Sequence, residues 1–164
     1  MQIKKILVPY DYSKYSDKSL KYAIDLANVA CLGNLNKQDI LIILLHIIQQ
    51  LPVTKSDIVK SSDKISKKLS SNQLTVNNLD NVKAEMERSI KDKLKKLNFI
   101  DKVKVEQVAL YGDPAKEIIN YASKKKVDLI IIGSSGIDRA KAKGMGSGSR
   151  KVSENISCPI TIIR

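Results

Sequence analysis

The sequence predicts an α/β fold: a single sheet of five parallel strands with helices on both faces. Short apolar, β-branched runs alternate with segments whose apolar residues recur at helical spacing, the order that builds right-handed crossovers. One run, Ile40 to Ile48, is apolar at almost every position, as a strand covered on both faces should be. The third observation is a Gly/Ser-rich stretch, Gly133 to Ser149, placed between the fourth run and a helical segment.

In chain order, Ile3 to Val8 reads as the first strand, ended by Pro9. Asp11 and Ser13 fall in the turn after it. A helix is expected from Ser16, as N-cap, to about Leu32, with Gly33 as its stop. Leu20, Ala23, Ile24, Ala27 and Cys31 form its apolar face. Ile40 to Ile48 is the second strand. Gln49 to Asn81 is polar and hard to assign, with a short helix near Ile58 to Leu69 as one reading. It is expected to be a mobile or partly helical insertion. Val82, Met86, Ile90, Leu94 and Leu97 mark a second amphipathic helix.

Val103, Val105, Val108 and Leu110 belong to the third strand. Asp113-Pro114 is a strong helix start, N-cap followed by a first-turn proline, for a helix to about Lys126. Its inward face is Ala115, Ile118, Ile119 and Ala122. Val127 to Ile132 is the fourth strand. A short helix from Ser149 to Ile156, with Val152 and Ile156 inward, precedes Pro159 and a fifth strand, Ile160 to Ile163.

The 164 residues are enough for one domain with a sizeable core, here aliphatic because aromatics make up only 4%. No apolar run approaches the length of a membrane span, and the N-terminal apolar stretch is too short for a signal peptide. Cys31 and Cys158 belong to no CxxC pair and sit in apolar segments, which favours buried, reduced thiols. A cytoplasmic location is therefore expected. The formal charge of +12 raises nucleic acid or an acidic membrane as partners. The lysines are spread along the chain without interleaved aromatics, so a solvated basic surface is the better reading.

Gly133, Gly136 and Gly146-Ser147 are spaced Gly-x2-Gly-x9-Gly-Ser, which is neither GxGxxG nor the P-loop pattern. A Gly/Ser loop running into a helix N-terminus exposes several backbone N–H groups and can cradle phosphate. The bland alternative is a flexible surface loop. The spacing resembles that of the nucleotide-binding universal stress proteins. So do KKILVPYDYS at the start, LIILLHII in the second strand and SCPITIIR at the end. The resemblance covers both ends and most of the core, and lapses between about Gln49 and Val82.

The resemblance implies a Rossmann-like sheet in the order 3-2-1-4-5, like the adenine nucleotide alpha hydrolases, over one domain of residues 1–164 with the insertion at about 49–81. It implies an adenine nucleotide, ATP or AMP, with Mg2+ where ATP is bound, in a crevice between the first and fourth strands. On it, Pro9 and Ile47 flank the adenine. Asp11 meets the ribose or a phosphate-bound Mg2+; its other reading is a cap for the following helix. Ile132 and Gly133 end the fourth strand, and Gly136 admits the ribose. Gly146, Ser147, Gly148 and Ser149 wrap the phosphates, Gly148 standing where a larger apolar residue is common. Homodimers through the last strand are also implied.

No catalytic residue or resident metal cluster is assigned. His46, the lone histidine, reads as a packed, hydrogen-bonded residue. The expected function is a nucleotide-dependent stress-response or signalling module, not an enzyme. The alternatives are a slow ATPase or self-phosphorylating protein using Ser147 or Ser149, and a nucleotide-free interaction module.

Overall fold

The computed structural model describes residues 3–33, 39–48, 84, 88, 90–91, 93–135 and 144–164. The elements are β1 (Lys5–Pro9), α1 (Lys14–Leu32), β2 (Ile40–Ile48), β3 (Val103–Tyr111), α2 (Pro114–Lys125), β4 (Leu129–Gly133), α3 (Ser147–Asn155) and β5 (Ile160–Ile163). Residues 84, 88, 90–91 and 93–95 are also helical. The five strands form one sheet in the order β3-β2-β1-β4-β5, all parallel. This is the predicted order. The expected insertion at 49–81, with its short helix, and Val82 and Met86 lie outside the described residues.

Strand alternation divides the core into two layers. Ile6, Val8, Tyr10, Ile42 and Leu44 face α1 and Ile90 on one side of the sheet. Leu7, Ile43, Leu45, Ile130 and Ile132 pack with α2 and Val152 of α3 on the other. Helices thus cover both faces, and β1 and β4, at the centre, are the most buried strands. At about 25 cal/mol per Å2, each fully buried Ile or Leu contributes roughly 1.5–3 kcal/mol. The core is aliphatic, as composition requires, with Tyr10 the exception at 2% exposure. Among the described residues no helix is long and apolar enough to cross a membrane.

Several boundaries shift, each for a local reason. The N-cap of α1 is Ser13, not Ser16: the Ser13 Oγ accepts from the Ser16 N–H at 3.1 Å. Ser16 instead lies buried in the first turn, its hydroxyl donating to the Ser13 carbonyl. β1 runs from Lys5 through Pro9, which still pairs in register with Leu45. β4 begins at Leu129, because the Val127 N–H closes the end of α2 on the Ala122 carbonyl. The Asp128 carboxylate accepts from the Lys4 and Lys5 N–H groups, both at 2.8 Å.

α2 starts as predicted, with Asp113 as N-cap and Pro114 first. It ends at Lys125 because Lys126 turns left-handed as C-cap, φ 51°. α3 starts two residues earlier than expected and stops at Asn155, so Ile156 follows it, partly buried. Cys31 is buried, but Cys158 is only half-buried, since it lies in the turn before the edge strand β5. Burial still pushes the Cys158 thiol above its ordinary range.

Candidate functional site

β1 and β4 are neighbours whose outgoing connections run to opposite faces of the sheet, the point at which parallel α/β sheets open a crevice. On the β1 side the turn is tightly built. The Asp11 Oδ1 accepts from the Ser13 N–H at 3.0 Å. Tyr12 between them adopts φ 63°, a left-handed conformation rare for a bulky residue. Ser13 then caps α1, so the turn delivers the helix N-terminus to the end of β1. The sequence had left Asp11 between a capping and a ligand role; one carboxylate oxygen shapes the turn that leads into the cap.

On the β4 side, Gly133 lies against the first turn of α1. A Cβ there would stand 2.8 Å from the Tyr15 Cβ and 3.1 Å from its carbonyl carbon. Only glycine allows that approach. Past Gly133 the chain is held by short backbone bonds. The Ser134 N–H donates to the Ile163 carbonyl, and the Gly146 N–H donates to the Ser134 carbonyl, both at 2.7 Å. Gly146 is the N-cap of α3, and no side chain caps that helix. The Ser149 hydroxyl is buried and donates to the Gly133 carbonyl at 2.7 Å. The N-termini of α1 and α3 therefore both meet the C-terminal end of β4.

An uncapped helix start carries free N–H donors and the positive end of the helix dipole. Ser147 and Gly148 are exposed there, with open space around the Gly148 Cα. Such a start is suited to an anion. Of the residues expected at the site, Asp11, Gly133, Gly146, Ser147, Gly148 and Ser149 gather on the two turns around this end of β4. Pro9 closes β1, half-buried. Ile132 has its side chain in the core beside α3, and Ile47 is one strand further out, on β2 opposite Leu110. Gly136 lies outside the described residues.

The sequence did not reveal a polar cluster just behind the turn. The Tyr10 hydroxyl donates to Asp17 and accepts from the Lys93 ammonium at 2.8 Å; Lys93 also meets Asp17 at 2.6 Å. Burial, then the bond to Asp17, raises the Tyr10 phenol far above its usual range. His46 is half-buried, and its Nδ1 lies 2.9 Å from the Tyr10 carbonyl, so that nitrogen carries the proton. It is the hydrogen-bonded residue the sequence suggested. Tyr12 packs edge-on against both Tyr10 and His46, at 5.1 and 5.4 Å between ring centres. No periodicity or motif marks Tyr10, Asp17 and Lys93, the last more than seventy residues from the other two.

Among the described residues no group of three or more His, Cys, Asp and Glu side chains is placed to hold a metal ion. A separate cleft of about 420 Å3 lies by the β3 edge, lined by Lys91, Leu94, Lys95, Phe99 and Gln107. It shares no residue with the crevice.

The chain is 30% identical over 163 residues to the universal stress protein YxiE of Bacillus subtilis, covering 98% of each. It is 30% identical over 171 residues to the universal stress protein MJ0577 of Methanocaldococcus jannaschii, covering 98% of this chain and 94% of that one. Against the solved structure of MJ0577 the TM-score is 0.68, over 99% of this chain and 96% of that one. A universal stress protein of Arabidopsis thaliana, solved with AMP bound, shares the fold at TM-score 0.54 and 16% identity, over 98% of this chain and 90% of that one. The model of the universal stress protein family matches residues 2–164, and with this sheet order and these relatives the chain belongs to that family.

Proposed function

We propose that this chain binds an adenine nucleotide, ATP or AMP, between the β1–α1 turn and the α3 N-terminus, and acts through its bound state in stress response or signalling. The observation that carries this is the uncapped start of α3 facing the Asp11 turn across Gly133, at the switch point of the sheet. The Gly133-Gly136-Gly146-Ser147 spacing and a relative of the same fold that holds AMP support it.

The roles are those the family resemblance implies, supported by the open start of α3. Phosphates meet the first N–H groups of α3 and the Ser147 hydroxyl. Ser149 contributes through its N–H, since its hydroxyl is committed to Gly133. The second Asp11 oxygen faces ribose hydroxyls or a Mg2+ carried in on the phosphates; Pro9 and Ile47 border the base. The whole chain works as one domain with 49–81 as an insertion, in the cytoplasm.

Holding is favoured over turnover. Hydrolysis needs a group placed to orient or deprotonate water. The sequence pattern assigns no residue to that role. Phosphate release is expected to stay well below one per second, the lower end of ordinary enzymes.

Calorimetric titration with ATP, ADP and AMP tests the reading. Binding is expected, and Gly136→Val should abolish it. Folded protein that takes none of the three would overturn the reading.

A further inference from the structure

We infer that Lys93 is a positioning residue for the crevice, coupling nucleotide binding to the helical residues within the β2–β3 connection. The inference rests on the nucleotide reading above and goes beyond it. It names a residue on another element, with no contact to the ligand, as a determinant of affinity.

Tyr10 sits in the chain between Pro9 and Asp11, two residues of the crevice. Its main chain is tied on both sides. The N–H donates to the Leu45 carbonyl at 2.8 Å, and the carbonyl accepts from His46 at 2.9 Å. Its side chain is 2% exposed, and its hydroxyl ends between Asp17 and Lys93. The Lys93 ammonium lies 2.8 Å from that hydroxyl, 2.6 Å from Asp17 and 5.5 Å from the Tyr10 ring centre. One cation thus touches the end of β1 and the first turns of α1, the two elements that carry Asp11 and its turn.

The turn they frame is strained at Tyr12, and such conformations persist only where the surroundings over-determine them. Lys93 supplies part of that determination. With it gone, the phenol and the carboxylate keep each other but lose their third partner. The turn is then freer to relax, and Asp11 moves relative to the start of α3. A solvent-facing ion pair alone would contribute little. Here the pair is joined to a buried hydroxyl, and it is that link which reaches the crevice.

The experiment titrates ATP into the full chain, below its unfolding temperature, as wild type, Lys93→Met, Lys93→Arg and Tyr10→Phe. Lys93→Met should weaken ATP binding about tenfold, within the usual range for coupled sites. Lys93→Arg, which keeps the charge and the donors, should retain most of the affinity. Tyr10→Phe removes the hydroxyl but leaves the ion pair, and should weaken binding as well. In the double variant Lys93→Met with Tyr10→Phe the two losses should not add, because both act through one contact. Binding by coupling is reciprocal, so saturating ATP should slow acetylation of Lys93 relative to exposed Lys124, read by mass spectrometry.

Wild type that binds no adenine nucleotide would sink the nucleotide reading itself. Wild type that binds, with Lys93→Met unchanged in affinity or with additive losses, would overturn this inference alone, whatever the variants do to stability.

Discussion

An added Cβ at Gly133 would stand 2.8 Å from the Tyr15 Cβ, backed by the main chain of α1. The residue that opens the glycine motif therefore has a packing duty independent of any ligand. Gly133→Ala should cost about 1–3 kcal/mol, typical of overpacking, seen as a lower urea midpoint with an unchanged slope. Gly148 is the contrast. It lies in the first turn of α3 with nothing within 4 Å of an added Cβ. Gly148→Ala should raise stability by about 0.4–1 kcal/mol through the unfolded chain. The motif showed both glycines in the sequence but could not tell them apart, because spacing does not record which neighbour approaches. Ser149 was equally visible and equally ambiguous. Its hydroxyl is taken by the Gly133 carbonyl, a bond between residues sixteen apart that no local pattern shows.

Elements were more legible than contacts. β2 and β5 fall where their apolar runs place them, and Asp113-Pro114 starts α2 as its chemistry requires. The ends were less legible, because they are set by tertiary bonds. Asp128 ties β4 to the start of β1 through two N–H groups, and Ser13 outcompetes Ser16 because Asp11 fixes its backbone. The sheet order places β5 at one edge, paired only with β4 among the described residues, with ITII unbroken by charge. An edge strand of this kind invites another strand. A two-fold dimer through antiparallel β5 strands is the expected arrangement. Light scattering at micromolar concentration should give twice the 18.2 kDa of one chain. Ile162→Lys should shift that mass toward the monomer and leave nucleotide binding largely intact. A monomeric wild type would refute the arrangement.

For the molecule as a whole, the raised acids lie in one direction. Burial pushes up Tyr10, Tyr121 and Cys158, with Asp17 adding to Tyr10. The folded form then keeps these protons to higher pH than the unfolded form does. Their contribution is constant below the ordinary thiol and phenol range and is lost as pH rises through it. Urea midpoints should fall above about pH 8.5, the usual thiol value, and Cys158→Ser should remove the first part of the fall.

The central position of β1 has a consequence for synthesis. β1 is made first, yet one of its two partners, β4, is made more than a hundred residues later. Once β3 has emerged, β3-β2-β1 can assemble, leaving the inner edge of β1 open with Ile6, Leu7 and Val8 along it. At roughly 5–20 residues per second, the stretch from Tyr111 to Leu129 takes about 1–4 s to add. A fragment ending at Lys125 should accordingly aggregate where the full chain does not, as turbidity would show. During those seconds on the ribosome, the strand destined for the middle of the sheet is its exposed margin, and a chaperone would find its client there.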